Sequence, residues 1–336
     1  MRMVPAVNGK GRLAFTLIEL LTATVVFSLL LSFLLVALNQ TTRVWRQSTA
    51  TLEAYKSSRE AFNFMTQRLS EATLNTYWAY QFQTINGQQV PKSYRRESDL
   101  QFYTGPGLSG TSHAVFFQAP GGFTATSGAL GGMNKLLNDC GFYVLYGTDD
   151  VWRPPPASNL SPTSRYRLVQ LTVPSEASGP FSSSRGTTWH QSKVQPGASG
   201  FGNMNTPIGE NIIAIAFLPK RTSLDEAVRG PLPGGFTYDS KAGASSNPQP
   251  VTANQLPPLV AVVMIVIDES SAVRLAQTSG NEQPAEIRNA LSGRLVNPDN
   301  LEDDLVQIGK ALDAANIGHK VFRATIPIHS SKWSES

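Results

Sequence analysis

Cysteine and histidine are scarce in this chain of 336 residues: Cys140 stands alone, and there are four histidines. A lone cysteine rules out an intrachain disulfide and any multi-cysteine metal site, so stability has to come from packing. Its neighbours Gly141, Phe142 and Val144 point to a buried small residue rather than a reactive thiol. Charge is thin as well. Asp, Glu, Lys and Arg make up 15% of the chain, and from Ala79 to Ser336 twenty basic residues are matched by twenty acidic ones. Although the pI is near 9.2, this region has no basic surplus or stripe for a phosphate backbone, and no nucleic-acid partner is expected.

Signatures of catalysis are missing too. His113, His190, His319 and His329 are isolated from one another and from close Asp or Glu partners, which argues against a metal or general-base role. There is no Gly-x-Ser-x-Gly elbow and no Walker loop. Gly105-Pro106-Gly107-Leu108-Ser109-Gly110 has the spacing of a dinucleotide loop, yet it contains proline and leads into His113–Gln118, which reads as a strand. A hairpin turn is expected there, because the cofactor motif must open a helix. Asp149-Asp150 and Asp268-Glu269 could offer oxygen ligands, but neither shows the Asp-x-Asp-x-Asp spacing of a calcium loop, and both read as solvated turns. No catalytic residue, cofactor or metal is assigned, and the chain is read as non-enzymatic.

What the sequence does contain is a long apolar run. From Phe15 to Leu38 it carries one ionisable side chain, Glu19. A helix of about 24 residues at roughly 1.5 Å per residue is about 36 Å long, enough to cross a hydrocarbon core about 30 Å thick. An ionised side chain in such a span costs on the order of 2.5 to 3.5 kcal/mol on insertion scales, which marks Glu19 as functional and in need of a partner. No Pro or Gly interrupts Phe15 to Trp78. Leu52, Tyr55, Arg59, Phe62, Met65, Leu69 and Ala72 recur at spacings of three or four, so an amphipathic continuation of the same helix is expected over 39–78.

The stretch Ala14-Phe-Thr-Leu-Ile-Glu-Leu-Leu resembles the cleavage and methylation motif of type IV prepilins and of the pseudopilins of type II secretion. The resemblance implies a leader over 1–14, cleavage between Ala14 and Phe15 by a prepilin peptidase, and N-methylation of Phe15. It places Glu19 at the fifth mature position, where the family's carboxylate pairs with a neighbouring subunit's N-terminal amine during assembly. Ala14 departs from the glycine usual before the cut. Loss of Arg2, Lys10 and Arg12 with the leader would take the formal charge from +4 to +1. A secretory signal would have a shorter apolar core with a small-residue cleavage site on its far side, whereas this run leads into Asn39-Gln40-Thr41-Thr42-Arg43.

After Trp78, short apolar runs alternate with Gly, Pro, Ser and Asn, which predicts a β-rich external domain over 79–336. Strands are expected at Leu100–Thr104, Ala114–Gln118, Gly141–Tyr146, Tyr166–Val173, Asn211–Leu218, Leu259–Ile267 and Lys320–Ile328. The run Leu259–Ile267 has no polar face and is expected at the centre of its sheet. Helices are expected on the Leu301, Leu305, Ile308, Leu312 face, with Asp299 to Asp304 at its positive end and Gly318 as a stop, and at Glu286–Leu295. The segments 174–202 and 230–258 read as long, solvated loops.

The fold class is therefore α+β and pilin-like: one long N-terminal helix on a β-rich domain with long loops. Parts of the external domain, including Leu256–Ile267, look like the J-type minor pseudopilin. Arg165–Gln170, Ile267–Arg274 and Val321–Ile328 with Lys332-Trp333 are similar to the Verru_Chthon cassette protein C group. The family implies a single-pass protein of the inner (cytoplasmic) membrane, its globular part in the periplasm or outside the cell. Expected partners are the prepilin peptidase and N-methyltransferase, other pilin-like subunits, an inner-membrane assembly platform and the lipid bilayer. A minor pseudopilin is the first expectation. A surface-presented adhesive or substrate-binding subunit and a bitopic membrane-anchored enzyme are the alternatives.

Overall fold

A computed structural model describes residues 16–108, 110, 112–125, 133, 135–154, 156, 161–180 and 187–334. The chain divides into two units, 1–52 and 53–336. Helix α1 (Leu17–Ser70) supplies all the described structure of the first unit and the opening turns of the second.

The first unit is helix with apolar side chains exposed from Leu17 to Leu38. Residues Leu17–Thr42 are long and apolar enough to cross a membrane. The hydroxyls in this stretch donate back into the helix: Thr22 to the Ile18 carbonyl (3.0 Å), Ser28 to Thr24 (2.7 Å), Ser32 to Ser28 (2.8 Å) and Thr41 to Ala37 (2.8 Å). Each hydroxyl therefore satisfies its donor locally, as it must where water is absent.

The second unit is all antiparallel in its strands. Its β1 (Tyr77–Ile85) and β2 (Gln88–Glu97) pair only with each other. A sheet of six follows, built from β3 (Tyr103–Pro106), β4 (His113–Pro120), β5 (Leu137–Gly147) and β6 (Arg165–Val173). After the short helices α2 (Gln191–Val194) and α3 (Phe201–Met204), β7 (Asn205–Glu210) extends that sheet. Then come β8 (Ile212–Lys220), α4 (Ser223–Arg229), β9 (Tyr238–Asp239) and β10 (Leu259–Ile267). The chain closes with α5 (Glu269–Ser279), α6 (Ala285–Leu291), α7 (Leu301–Ala314) and β11 (His319–Pro327). The six-stranded order is β7-β6-β5-β4-β3-β9, and the three-stranded order is β11-β10-β8.

As expected of a run without a polar face, β10 lies between two neighbours and is buried along most of its length. The main core joins its sheet to Ala61, Phe62, Met65 and Leu69 of α1, to Leu305, Ile308 and Leu312 of α7, and to one face of the six-stranded sheet. The other face of the six-stranded sheet builds a second core from Phe116, Tyr143, Val169, Leu171 and Trp189. Alternation along β4 makes this possible: Val115 and Phe117 point one way, Ala114 and Phe116 the other. Gly141 stands opposite Phe116, and a Cβ there would collide with the ring.

Several sequence expectations are corrected. Helix α1 stops at Ser70, not Trp78, although no Gly or Pro stops it. Tertiary contacts end it: His329 donates to the Ser70 carbonyl (3.0 Å), and Thr73 donates to Gln118 (2.8 Å) in an isolated β-bridge. The residues around Trp78 form β1 instead. Its turn is Asn86-Gly87, with φ of 51° and 80°, the signature of a tight two-residue hairpin. The segment 230–258 is not a solvated excursion, because Leu232, Phe236, Tyr238, Ala253 and Leu256 are buried in it. Asp268-Glu269 is a helix start rather than a turn: Asp268 Oδ1 accepts from Ser271 N (2.6 Å) and caps α5. The second late helix covers Ala285–Leu291 only, and α7 ends at Ala314, before Gly318.

Because Leu69 has no exposure and Leu224 is 81% exposed, their truncations should differ. Leu69→Ala should cost about 2 to 5 kcal/mol, and Leu224→Ala within about 0.5 kcal/mol of nothing. Denaturant titration of both variants, followed by tryptophan fluorescence, measures the difference.

Candidate functional site

Ala14 and Phe15, the residues flanking the expected cleavage, lie outside the described residues. Glu19 lies in the first turn of α1, and it is locally held. Its Oε2 accepts from Thr16 N (2.9 Å) and from Thr16 Oγ1 (2.9 Å), while Glu19 N approaches Thr16 Oγ1 at 3.4 Å. This is the reciprocal Thr-x-x-Glu capping box. The sequence signal for it is Thr16-Leu-Ile-Glu19, a Ser/Thr-x-x-Glu spacing immediately before an apolar run. A negative group in the first turn also suits the positive end of the helix dipole.

The remaining candidates separate. Cys140 is buried, and burial pushes its thiol up to about 11, with the Arg68 guanidinium (3.9 Å from Sγ) offsetting part of the shift. Asp149 is tied by Arg153 (2.5 Å) and by Thr163 N (3.1 Å), which pull its carboxyl down to about 2. Glu269 accepts from Arg165 (2.7 Å) and Asn211 (2.7 Å), so it fastens α5 to the sheet. Gly105 and Pro106 end β3, and Pro106 pairs with His113 at the start of β4, so the run does not open a helix. Among the described residues no three His, Cys, Asp or Glu side chains gather as metal ligands.

Two histidines are more enclosed than their isolation suggested. His190 stacks on Phe116 (ring centroids 4.3 Å apart) and Tyr103 (4.8 Å), and His113 lies 4.8 Å from Phe236. Burial lowers both to about 4 from an ordinary value of 6.5, with a Leu295 backbone contact opposing the shift at His113. Their Nδ1 atoms find no hydrogen-bond partner among the described residues. Among the described residues no carboxylate acts on either ring to orient it as a base. Comparison with protein-family models, curated proteins and solved structures returned no match.

The histidines make stability depend on pH. In the unfolded chain both protonate near pH 6.5, while in the folded chain they stay neutral until about pH 4. The contribution is therefore whole above pH 6.5 and is lost as pH falls toward 4, by up to about 3 kcal/mol for each histidine. Asp139, whose carboxyl burial raises, opposes this trend in the carboxylate range. The melting temperature should drop between pH 7 and pH 4.5, and a His113→Phe, His190→Phe variant should flatten the drop. An unchanged slope in that variant counts against the assignment.

Proposed function

We propose that the chain is a pilin-like structural subunit, a minor pseudopilin of a type II secretion-like or type IV pilus-like assembly. It is held in the inner membrane by α1, with the β-rich unit on the periplasmic or outer side. A prepilin peptidase cleaves between Ala14 and Phe15, and the new Phe15 amine is methylated. The subunit performs no catalysis of its own. The observation that carries the reading is Glu19: one carboxylate in the 26-residue apolar stretch Leu17–Thr42 of α1, five positions after a small residue, ahead of a β-rich unit.

Thr16 gives that carboxylate two donors, but hydrogen bonds do not cancel its charge. An ammonium from an adjoining subunit does, and a subunit out of register leaves the acid unpaired. Helix packing thus supplies adhesion, and Glu19 supplies register.

A second reading, a surface-presented subunit that binds a ligand, is favoured by the exposed aromatic residues of the β1–β2 ribbon.

Intact-mass and N-terminal analysis of the protein from its native membrane, with and without the peptidase, tests processing. The expected product begins at Phe15 and carries one added methyl. An intact N-terminus indifferent to the peptidase rejects the proposal. Glu19→Leu should still insert in the membrane but fail to co-purify with its partner subunits. Were the chain an anchored enzyme, the same substitution would leave function intact.

A further inference from the structure

The β1–β2 ribbon departs from what a two-stranded sheet can sustain alone. Such a hairpin is marginal in water unless one face is covered. Among the described residues β1 and β2 have no third strand, and one face carries Trp78, Tyr80 and Phe82 with Tyr94 opposite. These four are 57%, 53%, 56% and 63% exposed. A contiguous set of large exposed rings marks an interaction surface rather than scattered surface hydrophobes. The rings are also held in place. Tyr80 and Tyr94 lie 4.7 Å apart with their hydroxyls at 3.3 Å, Phe82 is 6.2 Å from Tyr80, and the Arg96 guanidinium covers Trp78 at 5.9 Å.

Trp78, Phe82 and Tyr94 of this face and the polar loop 245–249 together line a cleft of about 410 Å³. The loop is fastened to the ribbon. Gln249 Oε1 accepts from Arg96 N (3.0 Å), and its Nε2 donates to the carbonyls of Arg96 (2.9 Å) and Ala244 (2.7 Å). One wall is therefore aromatic. The other presents hydroxyls and amides, including Ser245, Ser246 and Asn247.

Charge narrows the ligand. Among the described residues no carboxylate lines the cleft, and of the three cations there two are committed elsewhere. Arg95 is paired to Glu97 (2.7 Å), and Arg96 donates to the carbonyls of Ser334 (3.1 Å) and Pro250 (3.2 Å). That leaves Lys92, too little to track successive phosphates of a single-stranded nucleic acid. A site that offers flat rings on one side and dense neutral hydrogen-bonding groups on the other suits a molecule with an apolar ring face and hydroxyl edges.

We propose that this cleft binds a pyranose glycan, whose sugar rings lie on Trp78, Phe82 and Tyr94 while their hydroxyls meet the 245–249 loop. The inference goes beyond the assembly role and does not depend on it, because every residue involved lies in the second unit. Neutral and uronic-acid glycans share this chemistry, with Lys92 available to a carboxylate in the second case.

The test is a titration of the full chain in detergent with cellohexaose and with an oligogalacturonate, reading tryptophan fluorescence and calorimetric heat. Saturable binding of at least one oligosaccharide is expected, weakened roughly tenfold or more by Tyr94→Ala, the scale of a central aromatic contact. Ser245→Trp, which fills the cleft from the loop and leaves the ribbon intact, should do the same. Circular dichroism and melting temperature show whether each variant is folded. Binding of neither oligosaccharide overturns the proposal. So does tighter binding of an oligodeoxythymidylate than of both, or unchanged affinity in folded Ser245→Trp protein. The glycan result stands or falls apart from N-terminal processing, so it is separable from failure of the pilin reading.

Discussion

The apolar stripe Ala61, Phe62, Met65 and Leu69 on α1 has to be kept from water, and much of the second unit is arranged around that requirement. Phe62 meets Phe322 of β11 (5.9 Å), Phe64 packs edge-on to Phe142 of β5 (6.4 Å), and Ala61 lies against Gly209 of β7. The helix thus draws strands from both larger sheets into one core. Where that cover ends, the helix ends. Arg68 closes the last turn by pairing with Glu71 (2.6 Å) and donating to the Pro120 carbonyl (3.0 Å), and the chain leaves as an extended segment bonded to Gln118.

A chain with no disulfide needs another means of fixing its sheet, and a buried polar network supplies it. Asp139 on β5 accepts from Gln118 (3.1 Å), Ser178 (2.8 Å) and Gly179 N (2.7 Å). Asn138 beside it donates to the carbonyls of Phe123 (2.7 Å) and Val173 (2.9 Å). Burial raises the Asp139 carboxyl while these donors lower it, so the net direction upward shows that desolvation prevails. Removing a donor would leave a buried acceptor unpaired, which costs more than the bond itself contributes. Such a network fixes β4 against β5 and against the segment after β6.

How much of this was legible follows from which forces decide each element. Leu259–Ile267 was readable because nine apolar residues without a polar face have one comfortable place, the centre of a sheet. Leu305, Ile308 and Leu312 were readable for a similar reason, since one buried stripe sets the helix. The end of α1 was not, because it is imposed by His329 and Gln118, remote in sequence, rather than by a breaker. The β1–β2 hairpin had a local signal in Asn86-Gly87, but its strands are mostly exposed and lack the short apolar runs by which the other strands are recognised. In 230–258, high Gly and Pro content concealed a few large side chains, Phe236 and Tyr238 among them, that bury themselves between turns. For the candidate site, the presence of Glu19 was legible from its isolation, whereas its attachment to Thr16 emerged from geometry.

That attachment limits how Glu19 can act. With Oε2 held at Thr16 N and Oγ1, the carboxylate is turned back toward the start of α1 rather than along the apolar flank of the helix. The unsatisfied N–H groups and the dipole there favour a negative group, so this orientation is stable in an isolated subunit. Its charge, however, is still whole, and the rest of Leu17–Leu38 offers neither a cation nor a further acid. A compensating charge must therefore approach the N-terminal end of the helix. On the proposed reading it is an amine at the start of another such helix, so adjoining subunits would be staggered to bring that amine to the level of Glu19. On that reading a capping box that orients the acid before assembly would lower the entropy cost of meeting the amine and would give Thr16 a positioning role.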